Sequence, residues 1–201
     1  MQKFQMIIIY TLSVAGSQFL EVGHTTFNSN ASLKTTSAVT SHRKALSWPS
    51  TDVSDVSLRN TSFAFPDDST AISVSFWFNK HTDDGAVFVN ISNTIYTSRC
   101  IDIMWHTSKL RVKIRNASSA ETAFNISGVS LNQWHHVTLT VPKDLTANPQ
   151  MWINGVAQSL EGGYSHSGTL NSVDRIYIGD FSGGNTYEVQ GDMQDTVIWN
   201  T

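Results

Sequence analysis

The stretch that decides the fold runs from Trp134 to Val156, WHHVTLTVPKDLTANPQMWINGV. Val137, Leu139 and Val141 alternate with Thr138 and Thr140, the period of two that marks a strand with one apolar face. Asn154-Gly155 then supplies the positive φ at two successive positions that a tight hairpin turn requires. Neighbouring side chains on a strand point to opposite faces, so His135 and His136 cannot jointly grip one metal ion. His135 falls in phase with Val137, Leu139 and Val141 and is expected to face the core with a hydrogen bond. His136 falls in phase with Trp134 and Thr138 and is expected to be exposed or in a cleft. Both histidines read as frame rather than catalyst.

The same period recurs on either side. In AISVSFWF (71–78), Ile72, Val74, Phe76 and Phe78 share one face, while Ser73, Ser75 and Trp77 share the other. In KLRVKIR (109–115), Leu110, Val112 and Ile114 oppose Arg111, Lys113 and Arg115. Further strands are predicted over 86–92, 94–105, 151–158, 173–179 and 192–200, separated by Gly, Asn and Asp turns. No stretch carries a helical period with caps. The prediction is all-β: a two-sheet antiparallel jelly-roll sandwich, with Ile72, Val74, Phe76, Val137, Leu139, Val141, Ile176 and Ile178 inward.

Composition narrows the function. Charged residues make up 14% of the 201 residues, against roughly 25% in ordinary soluble domains. The formal charge is -3 with no basic patch, so nucleic-acid binding has no electrostatic footprint. Cys100 is the single cysteine, which excludes an intrachain disulfide, and it reads as an inert buried thiol. At the N-terminus, Met6–Ala15 is an apolar run behind Lys3. It resembles a secretory signal peptide, but Ile7–Thr11 equally suits a first β-strand, and the strand reading is preferred. The run is too short to span a membrane, which takes about 20 residues. Residues 29–62 are polar and Ser/Thr-rich. They divide the chain into a strand and arm (1–62) and a sandwich domain (63–201), with the arm expected to dock outside the core on a partner or a neighbouring copy.

WHHVTLTV followed by MWINGV resembles the central hairpin of laminin G-like and pentraxin-like domains of the concanavalin A-like jelly-roll superfamily. ISVSFWFNK resembles their early core strand, RIYIGDFSGG the strand and loop near the end, and YEVQGDMQDTVIWN the closing strand, all in the family's order from Phe63 to Thr201. The resemblance implies a concanavalin A-like fold and a non-catalytic binding role, toward glycans or proteins. It also implies calcium at the rim. Asp180 is the metal candidate, with Asn185, Asp102 or an aspartate of the 67–68 turn completing the shell.

Catalytic signatures are missing. Retaining glycosidases need two carboxyls about 5 Å apart, whereas Glu21, Glu121, Glu161 and Glu188 are scattered along the chain. Asp192 and Asp195 have odd spacing, which places them on opposite faces of a regular strand. GYSHSG (163–168) has Ser167 where a nucleophile elbow needs its second glycine, and no phosphate-binding or dinucleotide loop occurs. The chain is read as a non-enzyme. Aromatic rings beside amides and carboxylates suit sugars, because a ring stacks on the C–H face while polar groups take hydroxyls. Trp77, Trp105, Tyr164, His166 and Tyr187 are the ligand-binding candidates, in loops or on outward faces.

Five N-x-S sequons stand at Asn30, Asn60, Asn90, Asn116 and Asn125. The function expected is recognition or adhesion, binding a glycan or a protein surface from a virion or extracellular surface. Other virion or assembly proteins would be met through the N-terminal arm. The alternative is a structural decoration protein without a glycan ligand.

Overall fold

The structure, a computed structural model, describes residues 6–8, 26–27, 32–34, 45–48, 58–60, 70–93, 99–118, 120–162, 165–170, 173–179 and 189–200. All of its regular elements are strands: β1 (Met6–Ile8), β2 (Thr26–Phe27), β3 (Ser32–Lys34), β4 (Ala45–Trp48), β5 (Leu58–Asn60), β6 (Ala71–Lys80), β7 (Ala86–Ser92), β8 (Arg99–His106), β9 (Lys109–Arg115), β10 (Glu121–Ile126), β11 (His135–Pro142), β12 (Gln150–Ile153), β13 (Val156–Ala157), β14 (Arg175–Ile178) and β15 (Gly191–Asn200). Every pairing is antiparallel. One eight-stranded sheet has the order β13-β12-β11-β6-β15-β4-β3, with β1 also on β15. A seven-stranded sheet has the order β10-β9-β8-β7-β14-β5-β2.

The two sheets close on one apolar core, to which the inward alternate residues of both contribute. The rings of Phe76 and Phe78 on β6 meet Phe88 on β7 at centroid distances of 5.8 and 4.6 Å, which joins the sheets at their centre. Ile72, Val74, Phe76, Val137, Leu139, Val141, Ile176 and Ile178 are all buried, as the alternation requires. Asn154 and Gly155 take φ of 52° and 79°, and Asn154 Oδ1 accepts the His136 N–H at 2.8 Å, so the turn residue also caps the strand it returns to. His135 is buried with its Nε2 against the Ser130 backbone (3.0 Å to N, 3.1 Å to O). His136 is half-buried on the opposite face. Cys100 is buried, and burial pushes its thiol up to about 12, which leaves no thiolate for chemistry at neutral pH.

Two expectations are corrected. Strands β3, β4 and β5 lie within residues 29–62, and they extend the chain's own sheets rather than standing outside the sandwich. Backbone pairing with the free edges of β15 and β14 supplies the order that Ser/Thr-rich composition does not announce. Asp192 and Asp195 do not follow simple alternation either. The register between β15 and β6 shifts between Gln194 and Val197, and Asp195 takes a φ of 50° at that bulge.

Candidate functional site: the outer face of the eight-stranded sheet

Strand β6 lies between β11 and β15, and its outward residues are Ser73, Ser75, Trp77 and Asn79. In register, Trp77 stands opposite His136 on one side and Gln194 on the other. Ser75 stands opposite Thr138, which in turn faces Trp152, and Ser73 stands opposite Trp199. Residues 77, 136, 152 and 199 are distant in sequence, yet they put four half-buried rings on one face. A strand spacing of about 4.8 Å and a rise of about 3.4 Å per residue place the Cα of Trp152 roughly 12 Å, and that of Trp199 roughly 14 Å, from that of Trp77.

The rings are held by a polar ladder. Ser75 Oγ lies 2.8 Å from His136 Nε2, and Ser73 Oγ lies 2.9 Å from Thr140 Oγ1. The Trp77 and His136 rings are 4.9 Å apart, tilted by 45°. Burial holds the imidazole of His136 below its usual proton affinity, while the carboxylate of Asp195 pulls it weakly back. His136 is therefore neutral at pH 7. The bulge brings the Asp195 charge to this face, and Gln194 Nε2 donates to Asp195 Oδ2 at 3.2 Å. A non-glycine residue at positive φ, in a bulge beside half-buried rings, is backbone strain of the kind that gathers at functional sites. Chemically the face offers flat apolar rings, neutral hydroxyls and the half-buried carboxylate of Asp195, while Gln194 and Asp192 on the same phase are buried.

Only part of the sequence-predicted set assembles here. Trp77 belongs to the face. Trp105 does not: it is 1% exposed, points into the core from β8, and donates from Nε1 to Asp83 Oδ1 at 2.7 Å. Its expected outward placement is corrected, because Asp83 satisfies the indole N–H and frees the ring to be buried. His166 is half-buried between Ser165 and Ser167, whose carbonyls accept Thr122 Oγ1 and Asn116 Nδ2 at 2.9 Å each. It therefore lies beside β9 and β10 of the other sheet, away from Trp77. Tyr164, Tyr187 and Asp180 lie outside the described residues. Sequence reasoning passed over His136, Trp152 and Trp199 as ligand-facing groups, although the alternation of MWI and VIWN already turns both tryptophans away from the core.

Among the described residues no three His, Cys, Asp or Glu side chains gather to hold a metal ion. Asp102 is buried and accepts Asn90 Nδ2. Glu161 pairs with Lys109 at 2.6 Å, and Glu121 pairs with Arg115 and, at 3.4 Å, with Lys113. No helix of the described residues is long and apolar enough to cross a membrane.

The fold has known counterparts. The binding domain of Paraclostridial Mosquitocidal Protein 1 superposes with a TM-score of 0.66 at 14% identity, over 96% of this chain and 48% of that one. The botulinum neurotoxin serotype D ligand-binding domain in complex with N-acetylneuraminic acid gives 0.63 at 13% identity, over 89% of this chain and 43% of its own. The heptameric SAP-like pentraxin of Limulus polyphemus gives 0.55 at 14% identity, over 75% and 73%. The chain thus spans less than half the length of the toxin domains it matches. No curated protein sequence matches it. The family model described as the concanavalin A-like lectin/glucanases superfamily matches residues 50–201, and the chain belongs to that superfamily.

Proposed function

We propose that the protein is a non-catalytic recognition module whose eight-stranded sheet binds a glycan across Trp77, His136, Trp152 and Trp199. The observation that carries this reading is the Trp77–His136 pair, with rings 4.9 Å apart, beside the bulged and positive-φ Asp195. Rings stack on the apolar faces of sugars, while the half-buried Ser75 and Asp195 are placed to meet hydroxyls. The tryptophan separations of roughly 12 and 14 Å, set by strand geometry, suit a ligand of several sugar units rather than one. The neutral histidine and the one half-buried carboxylate, Asp195, favour an uncharged or weakly charged glycan. The N-acetylneuraminic acid complex of the serotype D toxin domain supports a glycan as the ligand class for this fold. The setting we propose is a virion or extracellular surface, supported by low charge and by richness in Ser, Thr and Asn.

A glycan array probed with the wild-type chain and with Trp77→Ala is the test. Binding should be found and should fall at least tenfold in the variant, a change of about 1.4 kcal/mol. An array on which wild type binds nothing, or on which the variant binds equally well, overturns the reading and leaves a structural decoration role.

A further inference from the structure

The sequons divide sharply once the fold is known. Asn90 lies at the centre of β7, in a strand whose seven residues are all buried, and it is 2% exposed. Its Nδ2, the atom that would carry a sugar, donates to Asp102 Oδ1. Asn116 is 8% exposed. Its Oδ1 accepts the backbone N–H of Ser118 at 3.0 Å and of Ala120 at 2.9 Å, while Nδ2 donates to the Ser167 carbonyl at 2.9 Å. A Cβ added at Gly168 would sit 3.6 Å from that Nδ2, so the chain already closes over it. In both side chains the amide nitrogen is committed to holding the fold.

Asn125 differs on each count. It is half-buried and faces outward, since its neighbours Phe124 and Ile126 are buried in the core. Arg111 Nε donates to its Oδ1 at 2.9 Å. A guanidinium can only donate, so this bond fixes which end of the amide faces Arg111 and turns Nδ2 away from it. Nδ2 makes no hydrogen bond with the described residues. The sequon then runs off the strand: Ser127 and Gly128 are exposed, and a Cβ at Gly128 would meet nothing within 4 Å.

We infer that, of Asn90, Asn116 and Asn125, the fold reserves Asn125 as the acceptor of an N-linked glycan. In the transfer, Nδ2 attacks C1 of an oligosaccharide carried on a lipid pyrophosphate. The N–C1 bond forms, the C1–O bond to the pyrophosphate breaks, the lipid pyrophosphate departs with the electron pair, and Nδ2 releases one proton. The glycan would stand on the outer face of the seven-stranded sheet opposite Arg111, on the far side of the sandwich from Trp77. It would shield β9 and β10 and leave the tryptophan face clear. Asn30 and the side chain of Asn60 lie outside the described residues and play no part in this inference.

The full chain, secreted from eukaryotic cells behind a leader peptide, tests it. Enzymatic deglycosylation in ¹⁸O-water converts each occupied Asn to labelled Asp, which peptide mass mapping locates. Asn125 should be occupied, and Asn90 and Asn116 should not. Asn125→Gln should lose that glycan. Ser127→Ala, which keeps Asn125 and its bond to Arg111, should lose it too, while Asn90→Gln changes nothing in the glycan mass. A folded, secreted chain carrying sugar on Asn90 or Asn116, or lacking it on Asn125, overturns the inference.

Discussion

Replacing Lys80 by methionine should stabilise the protein at neutral pH, and the gain should vanish in alkali. Lys80 ends β6 and continues the inward series Ile72, Val74, Phe76, Phe78, with 0% of its surface exposed. Its ammonium donates to Thr82 Oγ1 at 2.9 Å, and that hydroxyl donates onward to Gln190 Oε1 at 2.9 Å. Burial pushes the pKa down from 10.5 to about 8, against the opposing pull of Asp84 and Asp83. At about 1.4 kcal/mol for each pH unit, that drop corresponds to about 3 kcal/mol. The sign follows from which state holds the proton. Below pH 8 both the folded and the unfolded lysine are charged, and the full cost of burial is present. Between 8 and 10.5 the folded state gives up its proton first, so wild-type stability rises; above 10.5 it is flat again. Methionine fills a similar volume without charge but forfeits the bond to Thr82, worth about 1 kcal/mol. The variant should therefore exceed wild type by about 2 kcal/mol at pH 7 and should be level with it or slightly below at pH 10. Urea unfolding of both proteins at the two pH values measures this, and the double difference cancels every other titrating group. A gap between the two proteins that is the same at pH 7 and pH 10 would refute the reasoning.

Other outcomes are as specific. Gly191→Ala should destabilise by roughly 2–3 kcal/mol, because its Cβ would fall 2.3 Å from the Asn79 carbonyl oxygen and 3.1 Å from Lys80 Cα; a variant with an unchanged urea midpoint would contradict the close approach of β15 to β6. Burial holds both His135 and His136 below the ordinary 6.5, so the unfolded chain binds protons first and stability falls as pH drops below that value. The loss between pH 7 and pH 5 should be smaller in His135→Gln than in wild type, and an equal loss in chemical unfolding would count against a buried neutral His135. Calcium held through Asp180 should give heat in a titration of wild type and none in Asp180→Ala; a silent wild type removes the site.

The long strands were legible because one period of two runs through each of them. Ile72 to Phe78, Leu110 to Ile114 and Val137 to Val141 are each buried on the phase that the sequence specifies. The shorter elements carry too few residues to show a period. β10 has only Phe124 and Ile126 as apolar markers, and β2 and β5 have two and three residues, so pairing rather than pattern fixes them. Trp105 was in phase with Ile101 and Ile103 and could have been read as core. What the chain could not reveal was the partner for its indole N–H, Asp83, 22 residues away in the connection between β6 and β7.

The candidate site was harder to read for a different reason. Each of its rings is visible as an outward residue of its own strand, but their convergence depends on register between strands that are not consecutive. Trp77 meets His136 only because β6 pairs with β11, and it meets Gln194 only because β15 returns from the C-terminal end to lie on the other side of β6. A one-residue slip would turn either neighbour to the opposite face. The apolar phases of Val74, Leu139 and Ile198 forbid that slip, so the buried face sets the alignment of the exposed one. Asp195 then departs from the alternation. An extra residue in a strand is invisible to periodic reading, since Gln194 and Val197 both look regular in their own segments. The bulge between them brings a carboxylate onto a face that strict alternation would deny it, at the cost of a strained backbone of order 1–3 kcal/mol. Met193 and Ile198 are five residues apart and would face opposite sides on a regular strand, so the bulge is also what lets both be buried. One bulge thus serves both sides of β15: it keeps Ile198 in the core after Met193, and it adds the charge of Asp195 to the face that carries His136.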